Sequence, residues 1–259
     1  MKKLNKILKK LKRVVVAYSG GLDSTFLLKA AIDALGRENV VAVTARSETY
    51  PKSEYCQAKK IAKKLGAKLI TIETSELSIP RFRENPVNRC YYCKKELFKS
   101  LDLIKKRLGM NYVLDGTNFD DLKDIRYGRK AAKELGVKSP LLEARIGKAD
   151  IRKYSRALKL PTWDKPSFAC LASRIPFNTR IEEKSLGMVE AAEEFLRSLG
   201  FGQVRVRIHD KVARIELGER DIRKVIGMGE KVTSKLRKLG FTYVTLDLLG
   251  YRTGSMHEA

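Results

Sequence analysis

Residues 14–28, Val-Val-Val-Ala-Tyr-Ser-Gly-Gly-Leu-Asp-Ser-Thr-Phe-Leu-Leu, constrain this chain more than any other stretch. Val14, Val15 and Val16 form a β-branched run that suits a parallel strand covered on both faces. Ser19-Gly20-Gly21 breaks the strand. Asp23 and Ser24 follow at positions favoured in a first helical turn, and Phe26, Leu27 and Leu28 begin an apolar helix face. A glycine turn between a strand and a helix leaves backbone N–H groups without partners, and the helix dipole adds positive potential there. Such a place suits a phosphate. Gly20 and Gly21 let the backbone come close to an anion, and Ser19 and Ser24 add hydroxyl donors. Asp23 opposes a phosphate unless a cation bridges the two, which points to Mg²⁺. An ordinary strand-to-helix turn is the plainer alternative. No Gly-Lys-Ser/Thr follows, so the Walker pattern is excluded.

The rest of the first half repeats the strand–helix alternation. A helix is expected over 25–35, a buried strand over 40–45, a helix over 51–65 and a third strand over 68–72. A fourth strand is expected at 112–114, a helix over 126–135, a short last strand at 139–142 and a helix over 148–158. The pattern predicts an α/β fold, a parallel sheet with helices on both faces. Ligands in such sheets sit at the carboxyl ends of the strands. Thr44 then lies beside the glycine loop. Gly116 stands at another strand end, with Asp120 and Asp121 in a polar turn that would cap the next helix. The amino-terminal Leu4, Ile7, Leu8 and Leu11 recur at helical spacing and predict a short docking helix. From residue 181 a helix, a hairpin over 203–217, two short helices and a strand at 243–248 predict a small α+β domain. Domains 1–176 and 177–259 are expected. Alternating Arg205, Arg207 and Arg214 suggest a basic strand face.

The chain carries 54 Lys and Arg against 30 Asp and Glu, a formal charge of +24. This fits a polyanion, anionic small substrates or a charge-rich surface. No apolar run is long enough to span a bilayer, and a cytoplasmic location is expected. Two histidines, His209 and His257, argue against a Ser-His-Asp site. The four cysteines count for more. Cys56 falls inside a helix and is expected to be buried. Cys90 and Cys93 are three apart at a helix start, where the dipole and Arg89, Lys94 and Lys95 favour thiolates. A metal site, a redox pair or an incidental pair would each give this spacing. The segment 161–176 is bounded by prolines and holds the only tryptophan, Trp163, with Lys165, Cys170 and Arg174. It reads as a site rather than a spacer.

The stretch Ser19-Gly20-Gly21-Leu22-Asp23-Ser24 resembles the SGGxDS pyrophosphate loop of the ATP pyrophosphatases. The resemblance implies that these residues, with Thr44 and Gly116, bind ATP with Mg²⁺ held by Asp23 and helped by Asp120 or Asp121, and that a substrate oxygen is adenylated with release of pyrophosphate. Residues 165–176, Lys-Pro-Ser-Phe-Ala-Cys-Leu-Ala-Ser-Arg-Ile-Pro, and 243–256 narrow the match. With the loop they are similar to the LarE family, ATP-dependent sulfur transferases that mature a nickel-pincer cofactor. That resemblance implies a small nucleotide substrate, pyridinium-3,5-biscarboxylic acid mononucleotide, converted to a thiocarboxylate. It also implies Cys170 as the catalytic cysteine and Ser173, Arg174 and Arg214 as substrate-binding residues. In the best-known members the cysteine matching Cys170 gives up its own sulfur and becomes dehydroalanine. Here Cys90 and Cys93 are also present, which resembles a subgroup holding a [4Fe–4S] cluster on three cysteines. Cys90, Cys93 and Cys170 are then the cluster ligands, with sulfide from a separate donor. A homo-oligomer is expected. Thiolation of tRNA by the same chemistry is the alternative, which the charge favours. The lack of a separate RNA-binding module and of a second Cys-x-x-Cys pair argues against it.

Overall fold

The structure is a computed structural model that describes residues 1–122, 127–166, 169–252 and 254–257, with His257 through its backbone only. The expected helix start at Arg126, and Ser167, Phe168 and Thr253 of the family-like segments, lie outside the described residues. The chain divides into two compact units. One comprises Met1–Phe82 and Asn88–Phe168, the other Arg83–Val87 and Ala169–Ala259. The division therefore falls before Cys170 rather than after Pro176, and a five-residue excursion at 83–87 joins the second unit. The reason is local bonding. Asn85 Nδ2 donates to the Pro176 carbonyl at 2.7 Å, Asn178 N donates to Asn85 O at 2.9 Å, and Ile181 N donates to Arg83 O at 2.8 Å.

In the first unit the order is α1 (Lys2–Leu11), β1 (Val14–Ala17), α2 (Leu22–Leu35), β2 (Val40–Arg46), α3 (Lys52–Lys64) and β3 (Lys68–Glu73). A short helix, α4 (Pro80–Arg83), precedes α5 (Arg89–Arg107). Then come β4 (Tyr112–Leu114), α6 (Gly128–Glu134), α7 (Pro140–Glu143) and α8 (Lys148–Ala157). The four strands form one parallel sheet in the order β3-β2-β1-β4. Successive strand residues alternate between two apolar layers. Val14, Val16, Val40 and Ala42 face one with Leu4, Leu8, Phe26 and Ile151. Val15, Val41 and Val43 face the other with Phe98, Leu101 and Ala131. This is why the strands read as unbroken apolar runs. Leu4 and Leu8 are fully buried, so the amino-terminal segment is the docking helix its spacing predicts.

Residues 139–142 differ from expectation. They belong to α7, with Pro140 at its first position, and only Lys138 bridges to Leu114 beside the sheet. Proline at the first helical position, preceded by serine, is a helix start, and it outweighs the short apolar run. Cys56 is exposed on α3 rather than buried, because the buried stripe of that helix is Ala58, Ile61 and Ala62.

The second unit contains α9 (Glu183–Ser198), β5 (Val204–His209), β6 (Val212–Leu217), α10 (Glu219–Ile226), α11 (Gly229–Lys238) and β7 (Tyr243–Leu246). Its sheet runs β5-β6-β7, antiparallel then parallel. No described helix is long and apolar enough to cross a membrane.

Candidate functional site

The order β3-β2-β1-β4 reverses direction beside β1, so the crevice of the sheet opens between the loops that follow β1 and β4. The loop after β1 is 19–21, and α2 starts from Gly21, whose backbone is extended at φ −78° and ψ 172°. Gly20 has φ +64°, and a Cβ there would stand 2.6 Å from Ala58 Cβ on α3. Only glycine fits on both counts. Ser24 Oγ lies 3.1 Å from Ser19 Oγ and 3.3 Å from Ser19 N, and it donates to the Gly21 carbonyl at 3.3 Å. Across the crevice, a Cβ on Gly116 would lie 3.1 Å from Ser24 N and 3.4 Å from Asp23 Cβ, so this second glycine lets the two loops meet. On the other side Tyr18 N donates to Val43 O at 2.8 Å, which sets Thr44 next to the loop. Thr44 is buried, and its hydroxyl has no hydrogen-bond partner among the described residues. Ser19, Gly20, Gly21, Asp23, Ser24, Thr44 and Gly116 are thus gathered at one strand-end crevice.

Side chains distant in sequence hold this loop from behind. The Tyr50 hydroxyl donates to Ser19 O at 2.7 Å, and Lys165 Nζ donates to Gly20 O at 3.2 Å. Lys165 also meets Gln57 Oε1 at 2.7 Å and Glu54 Oε2 at 2.6 Å. Burial, with the Glu54 charge nearby, raises the Tyr50 phenol well above its ordinary range, and burial pushes Tyr18 up to about 12. Both remain donors at neutral pH. Nothing in the local sequence marks Tyr50, Glu54 or Gln57. A phosphate in this loop would meet backbone N–H groups at a helix start, and Asp23 in the first turn of α2 suits a bridging Mg²⁺.

Asp120 and Asp121 serve the backbone. Asp120 Oδ2 accepts from Lys148 N at 2.7 Å, at the start of α8, and Asp121 Oδ2 accepts from Asn118 N at 3.1 Å. Asp115, a residue the sequence did not flag, accepts from Thr117 N, Thr117 Oγ1 and Ser139 Oγ.

Cys90 and Cys93 lie in the first turn of α5, Cys90 exposed and Cys93 half-buried. The Cys93 thiol faces Glu76 Oε1 at 4.0 Å. Glu76 is buried and accepts from Thr49 Oγ1 at 3.2 Å and Thr74 Oγ1 at 3.4 Å. Of the cations expected beside the thiols, Lys94 lies over the Phe98 ring, and Lys95 meets Tyr91 and Glu134. All four cysteines are free of disulfides. Two thiols one helical turn apart suit part of an iron–sulfur ligand set, which needs at least one more sulfur. Among the described residues no three His, Cys, Asp or Glu side chains stand together as a metal site.

Cys170 belongs to the second unit and precedes a 3₁₀ turn, Leu171–Arg174. Arg174 is 0% exposed. Its Nε and Nη2 reach the two oxygens of Glu193 at 2.8 and 3.1 Å, and Nη1 donates to Ala169 O, Cys170 O and Ser173 Oγ at 2.6, 2.9 and 2.9 Å. Ser173 Oγ itself donates to Cys170 O at 2.9 Å. These two expected substrate contacts therefore hold the Cys170 turn, because every Arg174 nitrogen already meets a partner inside the unit. Burial would raise the Glu193 carboxyl, but Arg174 and Arg197 outweigh it and hold it below the ordinary carboxylate range. Glu193 carries a detectable signal, a charge in the Val189–Leu196 apolar stripe of α9. Arg205 and Arg207 are buried rather than a solvated face, since both faces of β5 are covered. Arg207 Nη2 reaches Glu216 Oε2 at 2.9 Å, and Nη1 donates to Ser173 O at 2.9 Å. Arg214 meets Glu216 Oε1 at 3.3 Å and Asp247 Oδ2 at 3.7 Å, and its side chain stays 27% exposed.

A four-stranded parallel sheet, with a glycine loop at the helix start after β1 and Thr44 and Gly116 at the neighbouring strand ends, has the adenine-nucleotide hydrolase-type fold of the ATP pyrophosphatase class. Residues 2–96 match the NAD synthase family. The pyridinium-3,5-bisthiocarboxylic acid mononucleotide synthase of Lactiplantibacillus plantarum is 43% identical over 251 residues, 97% of this chain and 91% of the relative. An uncharacterized protein of Synechocystis sp. is 44% identical over 261 residues, 100% of this chain and 97% of its own length. The glutamine-dependent NAD(+) synthetase of Aquifex aeolicus is 42% identical over 72 residues, 28% of this chain and 13% of that protein. The chain belongs to the LarE family, ATP-dependent sulfur-inserting synthases of the pyrophosphate-loop type.

Proposed function

We propose that this chain is a cytoplasmic enzyme that uses ATP to replace a carboxylate oxygen of pyridinium-3,5-biscarboxylic acid mononucleotide with sulfur. The substrate carboxylate attacks the α-phosphorus, the α–β phosphoanhydride bond breaks, and an acyl-adenylate and pyrophosphate result. A sulfur nucleophile then attacks the activated carbonyl, and AMP leaves with the electron pair of the carbonyl–oxygen bond. The observation that carries this reading is the crevice at 19–24. Its free backbone N–H groups suit the pyrophosphate that such a cleavage releases. Thr44 and Gly116 border the nucleotide, and Asp23 holds Mg²⁺. Arg214, with its partly exposed guanidinium, meets the substrate phosphate. Ser173 and Arg174 support the turn before it.

For the sulfur source, Cys90, Cys93 and Cys170 would hold a [4Fe–4S] cluster, the set that the three-cysteine LarE subgroup implies. When bound, that group supplies an inorganic sulfide nucleophile and spares the protein's own thiols. A second reading has an observation of its own. The Cys170 backbone is pinned by Arg174 and Ser173, as suits a thiolate that itself attacks the acyl-adenylate. Loss of the Cys170 α-proton and cleavage of its Cβ–S bond would then leave dehydroalanine and the thiocarboxylate. The two readings separate in one experiment. The protein is purified without oxygen, its iron and sulfide are measured, and it is weighed by mass spectrometry after reaction with ATP and substrate. Bound iron and sulfide with an intact Cys170 after several turnovers support the first. A loss of H₂S at Cys170 after a single turnover overturns it in favour of the second. Absence of substrate-dependent pyrophosphate release overturns both.

A further inference from the structure

The backs of three consecutive loop peptides are each held by a donor. Tyr50 Oη donates to Ser19 O at 2.7 Å, Lys165 Nζ to Gly20 O at 3.2 Å, and Ser24 Oγ to Gly21 O at 3.3 Å, where Thr25 N also donates at 3.0 Å. In a planar trans peptide the C=O of one residue and the N–H of the next point in opposite directions. A donor that fixes Ser19 O therefore aims the Gly20 N–H the other way, one on Gly20 O aims the Gly21 N–H, and one on Gly21 O aims the Leu22 N–H. Among the described residues, none of these three N–H groups donates to a protein acceptor. Consecutive N–H groups without protein acceptors at a helix start are the kind of arrangement that captures anions. The hydroxyl on Gly21 O comes from within the loop. The other two donors come from 31 and 145 residues away.

We infer that Lys165 and Tyr50 are positioning residues for the ATP-cleavage site, and that they hold the Gly20 and Ser19 carbonyls so that the loop presents its N–H groups to the pyrophosphate portion of the nucleotide. Lys165 is set for this. Its side chain is only 10% exposed, and Glu54 at 2.6 Å and Gln57 at 2.7 Å fix the ammonium between α3 and the loop. Arg152 fixes the segment that carries it, donating to Trp163 O at 2.8 Å and Lys165 O at 3.0 Å. Tyr50 is half-buried, and it brings no charge. It therefore isolates the orienting effect from simple attraction of phosphate to a cation. The inference rests on the ATP-pyrophosphatase reading and adds to it the residues that shape the loop.

The test measures binding of two probes, Mg²⁺-pyrophosphate and adenosine, to the full chain by calorimetry. Lys165→Met and Tyr50→Phe should each weaken pyrophosphate about tenfold or more, while adenosine affinity stays within about twofold, since one charge-assisted or one short hydroxyl hydrogen bond to the loop is lost. Glu54→Gln leaves the Gly20 carbonyl anchored and removes a nearby negative charge, so it should not weaken pyrophosphate. Loss of both probes in parallel would mark a general structural role and overturn the inference. So would unchanged pyrophosphate binding in Tyr50→Phe, or a loss in Glu54→Gln as large as that in Lys165→Met. If Lys165→Met does not fold, Tyr50→Phe carries the comparison. If the wild-type chain binds adenosine and no pyrophosphate, the functional reading itself fails. If the wild type binds both and the variants match it, only the positioning role fails.

Discussion

Gly20 is the residue at which the loop has least tolerance. Alanine there would be forced to φ +64° and would place its Cβ 2.6 Å from Ala58 Cβ. Gly20→Ala should cost about 1–3 kcal/mol in stability from the strained backbone, and nucleotide affinity should fall at least about tenfold. Urea unfolding and ATP titration would read the two effects separately. Arg174 and Glu193 give a second prediction at this scale. Arg174→Met leaves a fully buried carboxylate with its main partner removed, which should cost about 3–5 kcal/mol. The same pair sets an acid limb. The folded-state pKa of Glu193 is lowered, so its contribution is complete above the unfolded carboxyl value of about 4.3 and fades as pH falls through the lower folded value. Urea midpoints measured from about pH 7 to about pH 3 should therefore drop less steeply in Arg174→Met than in wild type. The loop residues themselves were legible because glycine, serine and aspartate at this spacing specify backbone. Tyr50 and Lys165 were not, since they reach the loop from distant parts of the chain. The charge of Arg174 is legible in the sequence, and its burial is not.

Elements follow the same logic. α1 was readable from the spacing of Leu4 and Leu8, and both are fully buried against the α2 side of the sheet. Leu8→Ala should cost about 2–5 kcal/mol, measured by urea denaturation, if that helix docks as tightly as its burial indicates. Residues 139–142 look like a strand in sequence because Leu141-Leu142 is too short a run to reveal a period. The alternation in β5 was read correctly as strand and wrongly as half-exposed. Arg205 and Arg207 occupy its polar positions, yet they are buried, Arg207 against Glu216 and Arg205 against the Tyr251 ring. One sequence cannot show that a second layer covers the polar side of a strand.

At the scale of the whole molecule, the second unit needs chain from two places. Asn85 is fully buried at φ +60°, and its side chain donates to the carbonyls of Ile175 and Pro176. A fragment cut at the boundary read from sequence, residues 177–259, lacks the Cys170 turn, Arg174 and the 83–87 segment. It should give poorly dispersed amide NMR spectra and no cooperative melting transition. The sequence signals the division through its prolines around 161–176, but the 83–87 excursion carries no compositional mark. It becomes visible only through hydrogen bonds that span about ninety positions of the chain.

The anchored carbonyls of the loop have a consequence for when order is acquired. A flexible phosphate loop loses conformational entropy each time a nucleotide arrives, about 1–2 kcal/mol for each residue fixed. Here the donors on Ser19, Gly20 and Gly21 impose that loss once, as the polypeptide folds. Ligand arrival and departure then proceed against a backbone that is already ordered.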